Sequence, residues 1–168
     1  MNDAKRLVSA LLEQGWTLGI AESLTGGALA SEVVSVPGSS GTLLGAVVAY
    51  ATPVKATLLG VEESLLDEHG PVHARVAEQM AEGVRSCVAV EGRVADVGVS
   101  TTGIAGPASP DGQPVGTVHI GVAGPFGTSS ERFVFSGGRA EIREQTVQSA
   151  IALLLRSLEE YRHGNRGC

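Results

Sequence analysis

The sequence predicts a single α/β domain in which a mixed, mostly parallel sheet is covered by helices on both faces. Three observations support this fold class. Short apolar runs typical of strands alternate with longer segments whose apolar residues recur every three or four positions. The 23 glycines fall mainly between these segments, where tight connections are needed. The 168 residues are enough for one full-sized core, and 43% of them are apolar.

The N-terminal part of the chain predicts a helix, a strand and a second helix, in that order. Residues 3–14 carry leucines and a valine at helical spacing, and Gly15 ends the segment as a C-terminal glycine commonly does. The apolar run 16–21 is typical of a buried strand. After a tight turn, helical spacing resumes at Ala28 and continues to about Val36.

The middle of the chain predicts one strand followed by helices. Residues 43–50 form a continuous apolar run, which favours a strand covered on both faces. Pro53 stands where it could occupy the first position of a helix. Residues 62–68 predict a short helix that a Gly-Pro pair stops, and residues 72–88 predict a longer helix with apolar side chains along one face.

The C-terminal part predicts a strand, a hairpin and a long helix. Residues 94–101 form an apolar run that ends in hydroxyl side chains. Residues 115–123 and 130–135 predict a pair of strands joined by a Gly- and Pro-containing turn. Residues 139–161 show helical spacing along their whole length.

Domain limits and cysteines follow from the same pattern. The domain is expected to span residues 1–162, with a loop at residues 110–112 and a polar tail at residues 163–168. Cys87 and Cys168 are too few for a disulfide framework, so we expect free thiols in a reducing cytosol. No Cys/His cluster has metal-ligand spacing, and no metal site is expected.

Composition excludes several classes of partner. The net charge is −6, whereas binding to a phosphate backbone needs a basic surface. Aromatic residues make up only 4% of the chain, which leaves few side chains to stack on bases. No apolar run reaches the roughly 18–20 residues that span a bilayer, and the N-terminus lacks the apolar core of a signal peptide. We therefore expect a cytoplasmic protein with a small-molecule ligand and no nucleic-acid or membrane partner. A homo-oligomer is also expected, although the composition does not determine the oligomeric state.

The turn between the first predicted strand and the next helix carries the first candidate site residue, Ser23. It follows the strand directly, where an open α/β sheet usually binds its ligand, and is a candidate nucleophile. Gly26 and Gly27 would let the backbone approach a ligand and supply an oxyanion site. A simpler explanation is that Ser23 and Thr25 cap the helix, and on this stretch alone it is favoured. Thr25 is the expected cap, and Glu22 receives no role.

Two further strand ends carry polar side chains. Tyr50 ends the second predicted strand, with Lys55 five residues later, and Thr102 with Gly103 ends the third. Parallel neighbouring strands would bring all of these residues to the cleft of Ser23. Lysine can act as a general base when burial lowers its pKa, and no histidine lies near these turns to form a triad. An ordinary exposed lysine is the alternative, and by base rates it is the commoner case.

Arg139 and Arg143 open the last predicted helix. A cation in a first helical turn is mildly unfavourable for the helix dipole, so two of them suggest a bound anion. Surface pairing with Glu141 and Glu144 explains them equally well.

Taken together, five segments resemble the CinA C-terminal domain family, whose enzymatic members are nicotinamide-nucleotide amidases. The segments follow the family's order between roughly residues 5 and 160. They are Ala21-Glu22-Ser23-Leu24-Thr25-Gly26-Gly27, Tyr50 to Lys55 with Leu59-Gly60-Val61, Thr102-Gly103-Ile104-Ala105-Gly106-Pro107, Pro114-Val115-Gly116-Thr117-Val118, and Gly138-Arg139 with Ile142-Arg143.

The resemblance implies hydrolysis of nicotinamide mononucleotide to nicotinate mononucleotide and ammonia, a step of pyridine nucleotide salvage, without metal or organic cofactor. Ser23 would be the nucleophile and Lys55 its base. Substrate would be bound by the remaining residues that match the motifs. These are Tyr50, Thr25, Gly26, Gly27, Thr102, Gly103, and Arg139 or Arg143 at the phosphate.

The sequence departs from the family pattern around these motifs without removing a proposed catalytic group. Leu24 replaces a cysteine, residues 51–54 read Ala-Thr-Pro-Val, the loop after Pro107 lacks a Gly-Gly pair, and Gly138 replaces an aspartate before Arg139. The chain is expected to be a stand-alone form without the N-terminal domain of longer members. The alternative function is a non-catalytic phosphometabolite-binding or competence-related regulatory protein of the same fold.

Overall fold

Five strands and six α-helices make up the part of the chain that the computed structural model describes, residues 3–109 and 112–164. The strands are β1 (Leu18–Glu22), β2 (Leu43–Val48), β3 (Val97–Gly103), β4 (Thr117–Gly124) and β5 (Gly127–Val134). The helices are α1 (Asp3–Gln14), α2 (Ala28–Val34), α3 (Thr52–Leu59), α4 (Glu63–His69), α5 (Ala74–Cys87) and α6 (Arg139–Gly164). None of these helices is both long and apolar enough to cross a membrane.

The five strands form one mixed sheet in the order β2-β1-β3-β4-β5. β1 runs parallel to both β2 and β3, whereas β3–β4 and β4–β5 are antiparallel. The mixed sheet and the helices on both faces are confirmed. Two of the four pairings between the described strands are parallel, and the predicted hairpin of β4 and β5 is one of the two antiparallel ones.

The two faces of the sheet carry side chains of different size. Large aliphatic residues of β1, β3 and β4 point towards α1 and α6, where they form the larger core. The alternate positions, which face α5, hold small residues, among them Gly98 in β3 and Gly121 in β4. A Cβ atom at either glycine would overlap with the backbone carbonyl of an α5 alanine, Ala81 or Ala77 respectively. The small face therefore lets α5 lie directly against the sheet.

Because α5 leaves no space over β3, we expect Gly98→Ala to destabilise the protein by about 3 kcal/mol, which is the size of a typical overpacking penalty. The matched control is Gly164→Ala, where no atom lies within 4 Å of the added Cβ. Thermal unfolding checks both variants. The Gly98→Ala melting temperature should fall by about 6 °C or more. A fall no larger than that of the control would contradict the close packing of α5.

Strand β2 differs from its prediction as a strand covered on both faces. It lies at the edge of the sheet, and Ala46 and Val48 are exposed. A continuous apolar run therefore did not distinguish a central strand from an edge strand. At the C-terminus, α6 continues to Gly164, so the first two residues of the expected polar tail belong to the helix. Pro110, Asp111 and residues 165–168, including Cys168, lie outside the described residues.

Candidate functional site

The carboxyl ends of the three parallel strands meet at one cleft. β1 lies between β2 and β3, and Ser23 directly follows it. Tyr50 follows β2 on one side, and Thr102 lies near the end of β3 on the other. Lys55 is the fourth residue of α3, so the first turn of that helix delivers its side chain to Ser23. The parallel register thus brings together four residues from three separate segments of the chain.

The cleft has a volume of about 450 Å³, which lies within the range of small-molecule sites. Its walls carry Lys55 and Arg139 but no aspartate or glutamate of the described chain, although the protein as a whole is acidic. The local charge therefore favours an anionic ligand. The lining residues are Ser23, Leu24, Tyr50, Thr52, Lys55, Pro71, Val72, Thr102, Gly103, Ile104, Ala105, Gly106, Ala108 and Arg139.

Lys55 and Ser23 form a buried hydrogen-bonded pair at this cleft. Lys55 Nζ lies 3.1 Å from Ser23 Oγ, and the two residues are only 1% and 8% exposed. Nζ also donates to the carbonyl oxygens of Ala49 at 2.7 Å and Tyr50 at 3.4 Å. A neutral amine has two N–H bonds and one lone pair. A charged Lys55 can donate to all three oxygens, whereas a neutral Lys55 keeps its two N–H bonds for the carbonyls and has a lone pair that can accept the Ser23 proton.

Burial lowers the pKa of Lys55 from 10.5 to about 8. No acidic side chain forms an ion pair with Lys55 in the described chain, so no opposite charge there favours the protonated amine. With a pKa of about 8, roughly a quarter of Lys55 is neutral at pH 7.5, against about one part in a thousand for an ordinary lysine. Lys55 is thus able to accept a proton near physiological pH.

Arg139 spans the mouth of the cleft from the start of α6. Its guanidinium donates to the Gly106 carbonyl at 2.8 Å and to Tyr50 Oη at 3.0 Å. It thereby joins the loop after β3 to the residues after β2. Since both Arg139 and Tyr50 are exposed, their polar groups are available to a ligand at the rim. The two residues form a cationic edge above the buried Ser–Lys pair.

Thr102 and Gly103 lie on the wall of the cleft formed by β3. Thr102 Oγ1 donates to the Pro71 carbonyl at 2.6 Å, and Pro71 and Val72 close the wall from the α4–α5 connection. Sequence reasoning missed these last two residues, because an apolar pair before a helix carries no chemical signal.

No group of three or more His, Cys, Asp or Glu side chains in residues 3–109 and 112–164 is arranged to hold a metal ion.

Thr25 is not the helix cap that we expected. Its side chain is fully buried and shares a 2.8 Å hydrogen bond with Thr101 Oγ1. The N-cap position of α2 is Gly27, and the free amides of the first turn bind the carboxylate of Glu22. The sequence signal for this cap was a glutamate directly after the predicted strand 16–21 and ahead of a helix whose N-cap position is a glycine.

The expected oxyanion site in the same turn also needs correction. The Gly26 amide donates to the Ser23 carbonyl at 3.1 Å, and the Gly27 amide donates to Glu22 Oε2 at 3.0 Å. Both N–H groups are therefore engaged within the protein. Neither glycine lies on the wall of the cleft, and their left-handed conformations, with φ of 60° and 99°, serve the tight turn.

Arg143 does not line the cleft either. Its Nε donates to the Leu24 carbonyl and its Nη2 to the Thr25 carbonyl, each at 2.9 Å. Of the two arginines that we considered for an anion, only Arg139 reaches the cleft.

Comparison with known proteins agrees with the resemblance of the five sequence segments. The model of the CinA C-terminal domain matches residues 2–158. A CinA-like protein from Frankia casuarinae is 45% identical over 152 residues, which cover 90% of this chain and 34% of that protein. A CinA-like protein from Gloeobacter violaceus is 44% identical over 158 residues, with coverage of 92% and 36%. This chain spans about a third of the length of these curated relatives.

Solved structures share the fold over nearly their whole length. A competence-damaged protein (CinA) superfamily protein from Klebsiella pneumoniae superposes with a TM-score of 0.88 at 28% identity, covering 94% of this chain and 96% of that one. The competence/damage inducible protein CihA from Agrobacterium tumefaciens gives a TM-score of 0.85 at 32% identity, covering 92% and 93%. The chain belongs to the CinA C-terminal domain family.

Proposed function

We propose that this protein hydrolyses the carboxamide of nicotinamide mononucleotide, giving nicotinate mononucleotide and ammonia. The observation that carries the proposal is the buried 3.1 Å contact between Lys55 Nζ and Ser23 Oγ at a cleft with a cationic rim. The pair supports amide hydrolysis through a serine nucleophile. Arg139 at the rim supports a substrate with a phosphate at the end opposite the carboxamide. The resemblance of the motifs to nicotinamide-nucleotide amidases supplies the substrate.

In the proposed mechanism, neutral Lys55 accepts the Ser23 proton as Oγ attacks the carboxamide carbon. The tetrahedral intermediate collapses when its C–N bond breaks, and the leaving ammonia takes the proton from Lys55. Water then attacks the acyl carbon while Lys55 accepts one of its protons. The C–Oγ bond breaks, Lys55 returns that proton to Ser23 Oγ, and the product leaves as the carboxylate after its own proton passes to solvent. The pyridinium charge of the substrate withdraws electrons from the carbonyl and makes both attacks easier.

The oxyanion donor in this scheme is the amide of Leu24. This residue follows the nucleophile and lines the cleft, and its N–H has no acceptor among the described residues. Removal of such a donor costs about 10²–10³ in rate in other acyl-transfer enzymes. The Leu24 amide takes the role that we expected for the amides of Gly26 and Gly27, because those two donate to other groups of the protein.

The test is incubation of the protein with nicotinamide mononucleotide, nicotinamide riboside and nicotinamide. We expect ammonia release from the mononucleotide, with nicotinate mononucleotide identified by mass spectrometry, and much less from the two compounds without phosphate. Thermal unfolding with each compound serves as a binding assay in parallel. Stabilisation by the mononucleotide without ammonia release would favour the non-catalytic binding protein. Absence of both effects would reject this substrate.

Arg139→Gln should raise KM for nicotinamide mononucleotide about 10- to 100-fold, because a hydrogen bond to a charged group contributes about 1.5–3 kcal/mol. The KM for nicotinamide riboside should change little, since that compound has no phosphate to bind. Arg156→Gln is the matched control on the same helix, where the arginine pairs with Glu131. Equal losses with both compounds would show that Arg139 does not bind the phosphate.

Activity should rise with pH because the neutral form of Lys55 is the base. We expect kcat/KM to increase about tenfold per pH unit below the Lys55 pKa of about 8 and to level off above it. Rates measured between pH 7 and 10 avoid the second ionisation of the phosphate, near 6. A profile that is flat over this range, or that continues to rise towards 10.5, would contradict a lysine base with a lowered pKa.

A further inference from the structure

Two charged side chains of opposite sign hold the turn that carries Ser23, residues 23–26. Glu22 is fully buried at the end of β1, directly before the nucleophile. Its carboxylate accepts three backbone N–H bonds from the start of α2, from Gly27 and Leu29 at 3.0 Å and from Ala30 at 2.9 Å. The side chain therefore joins the strand before the turn to the helix after it.

Arg143 holds the same turn from the side of α6. It donates to the carbonyls of Leu24 and Thr25, which lie 118–119 residues away in the chain. Amides on one side of Ser23 thus bind Glu22, and carbonyls within the turn bind Arg143. The two side chains share no ion pair, so each directs its charge to backbone groups of this segment.

Helix capping alone does not require this arrangement. A serine or aspartate at the N-cap would satisfy the amides of α2 without burying a long acidic side chain, yet that position is Gly27. A buried carboxylate has a large desolvation cost, which its three hydrogen bonds offset. What the glutamate adds over an ordinary cap is a fixed distance between the last residue of β1 and the first turn of α2.

We propose that Glu22 and Arg143 are positioning residues that hold Ser23 Oγ within reach of Lys55 Nζ. The inference rests on the proposed function, since it assigns Ser23 as the nucleophile. Neither side chain lines the cleft, so neither would touch the substrate. A displacement of about 1 Å in a reacting group can cost about 100-fold in rate, which sets the scale of the effect.

The first test compares Glu22→Ala, Glu22→Gln and Arg143→Met with the unchanged protein. We expect kcat to fall about 10- to 100-fold in Glu22→Ala and Arg143→Met, with KM within about twofold. Glu22→Gln should lie between Glu22→Ala and the unchanged protein, because its amide oxygen keeps part of the hydrogen bonding. Since both residues hold one turn, the fold decrease in kcat of the double variant should be smaller than the product of the fold decreases of the two single variants.

Two controls separate positioning from a general loss of stability. Val122→Ala removes buried volume from the larger core and should lower the melting temperature while leaving kcat unchanged below it. The pH profile of the Glu22 and Arg143 variants should keep its midpoint near the Lys55 pKa of about 8, because these variants leave the burial that lowers this pKa in place. If Glu22→Ala or Arg143→Met does not fold, Glu22→Gln and Arg143→Lys provide the same comparison.

A second measurement does not depend on nicotinamide mononucleotide. A fluorophosphonate reagent should label Ser23 in the unchanged protein, and the rate should fall about 10-fold or more in the variants. Labelling with this pattern but no hydrolysis would overturn the proposed substrate and keep the positioning roles. Unchanged kcat and unchanged labelling in Glu22→Ala and Arg143→Met would overturn the positioning roles alone. Neither labelling nor hydrolysis by the unchanged protein would overturn both proposals.

Discussion

Ser23→Ala should lower ammonia release from nicotinamide mononucleotide by a factor of about 10³ or more, because the covalent pathway loses its nucleophile. The substitution removes one oxygen atom and one hydrogen bond from a buried pair. Binding should persist, since Arg139, Tyr50 and the walls of the cleft are unchanged. The measurement combines steady-state kinetics with the dissociation constant of the mononucleotide from thermal stabilisation. We expect the rate to collapse while the dissociation constant stays within a few-fold.

The matched control for this variant is Ser31→Ala, an exposed serine on the next helix, which should keep full activity. Retention of hydrolysis by Ser23→Ala would reject the nucleophile assignment whatever the substrate. Loss of binding together with hydrolysis would instead assign Ser23 to substrate binding. The two parameters therefore separate a catalytic serine from a binding serine at one position.

The cleft was predictable because its chemistry follows from local patterns and one rule of topology. Ser23, Tyr50 and Thr102 stand where apolar runs end, and the ends of parallel strands converge. The order of the strands was not needed, only the expectation that they are parallel neighbours. Lys55 could be included because Pro53 fixed the start of its helix. Strand ends and helix starts therefore carried the prediction of the site.

The support of the nucleophile was not predictable, because it depends on long-range contacts to backbone groups. Arg143 meets the carbonyls of Leu24 and Thr25 only after α6 packs across the sheet. At the level of sequence, an arginine in a first helical turn suggests an anion as readily as a carbonyl. Glu22 was overlooked because glutamates seldom lie at a strand end buried on every side. Backbone hydrogen bonds of charged side chains leave no spacing motif.

The same physical term connects catalysis and stability at Lys55. Its low pKa results from burial without an anionic partner, so the proton affinity that suits a base is also a cost to the folded state. The unfolded chain binds the lysine proton more tightly than the folded protein does. The free energy of unfolding is therefore lowered by the full amount below about pH 8, and this loss disappears as the pH rises from about 8 towards 10.5. An amine poised for catalysis at this site is one that destabilises the fold at neutral pH.

Lys55→Met should accordingly abolish turnover without loss of stability at pH 7. We expect ammonia release to fall by about 10³-fold or more, because Ser23 loses its base. Removal of the buried charge should raise the free energy of unfolding by up to about 3 kcal/mol, which is the equivalent of the pKa shift. The Ala49 carbonyl loses its hydrogen bond from Nζ in this variant, which should lower the free energy of unfolding by about 1–3 kcal/mol. The two terms nearly offset each other, so the free energies of unfolding should agree within about 2 kcal/mol at pH 7.

Denaturant unfolding at several pH values provides a sharper check of this balance. Between pH 8 and 10.5 the unchanged protein should gain stability relative to Lys55→Met, whereas below pH 8 the difference should be constant. The matched control is Thr57→Lys on the same helix, because that exposed position should accept a lysine of ordinary pKa and show no such difference. Two results would show that Lys55 is an ordinary cation rather than the base of Ser23. One is a Lys55→Met protein that remains active, and the other is a Lys55→Met protein whose stability follows that of the unchanged protein across this pH window.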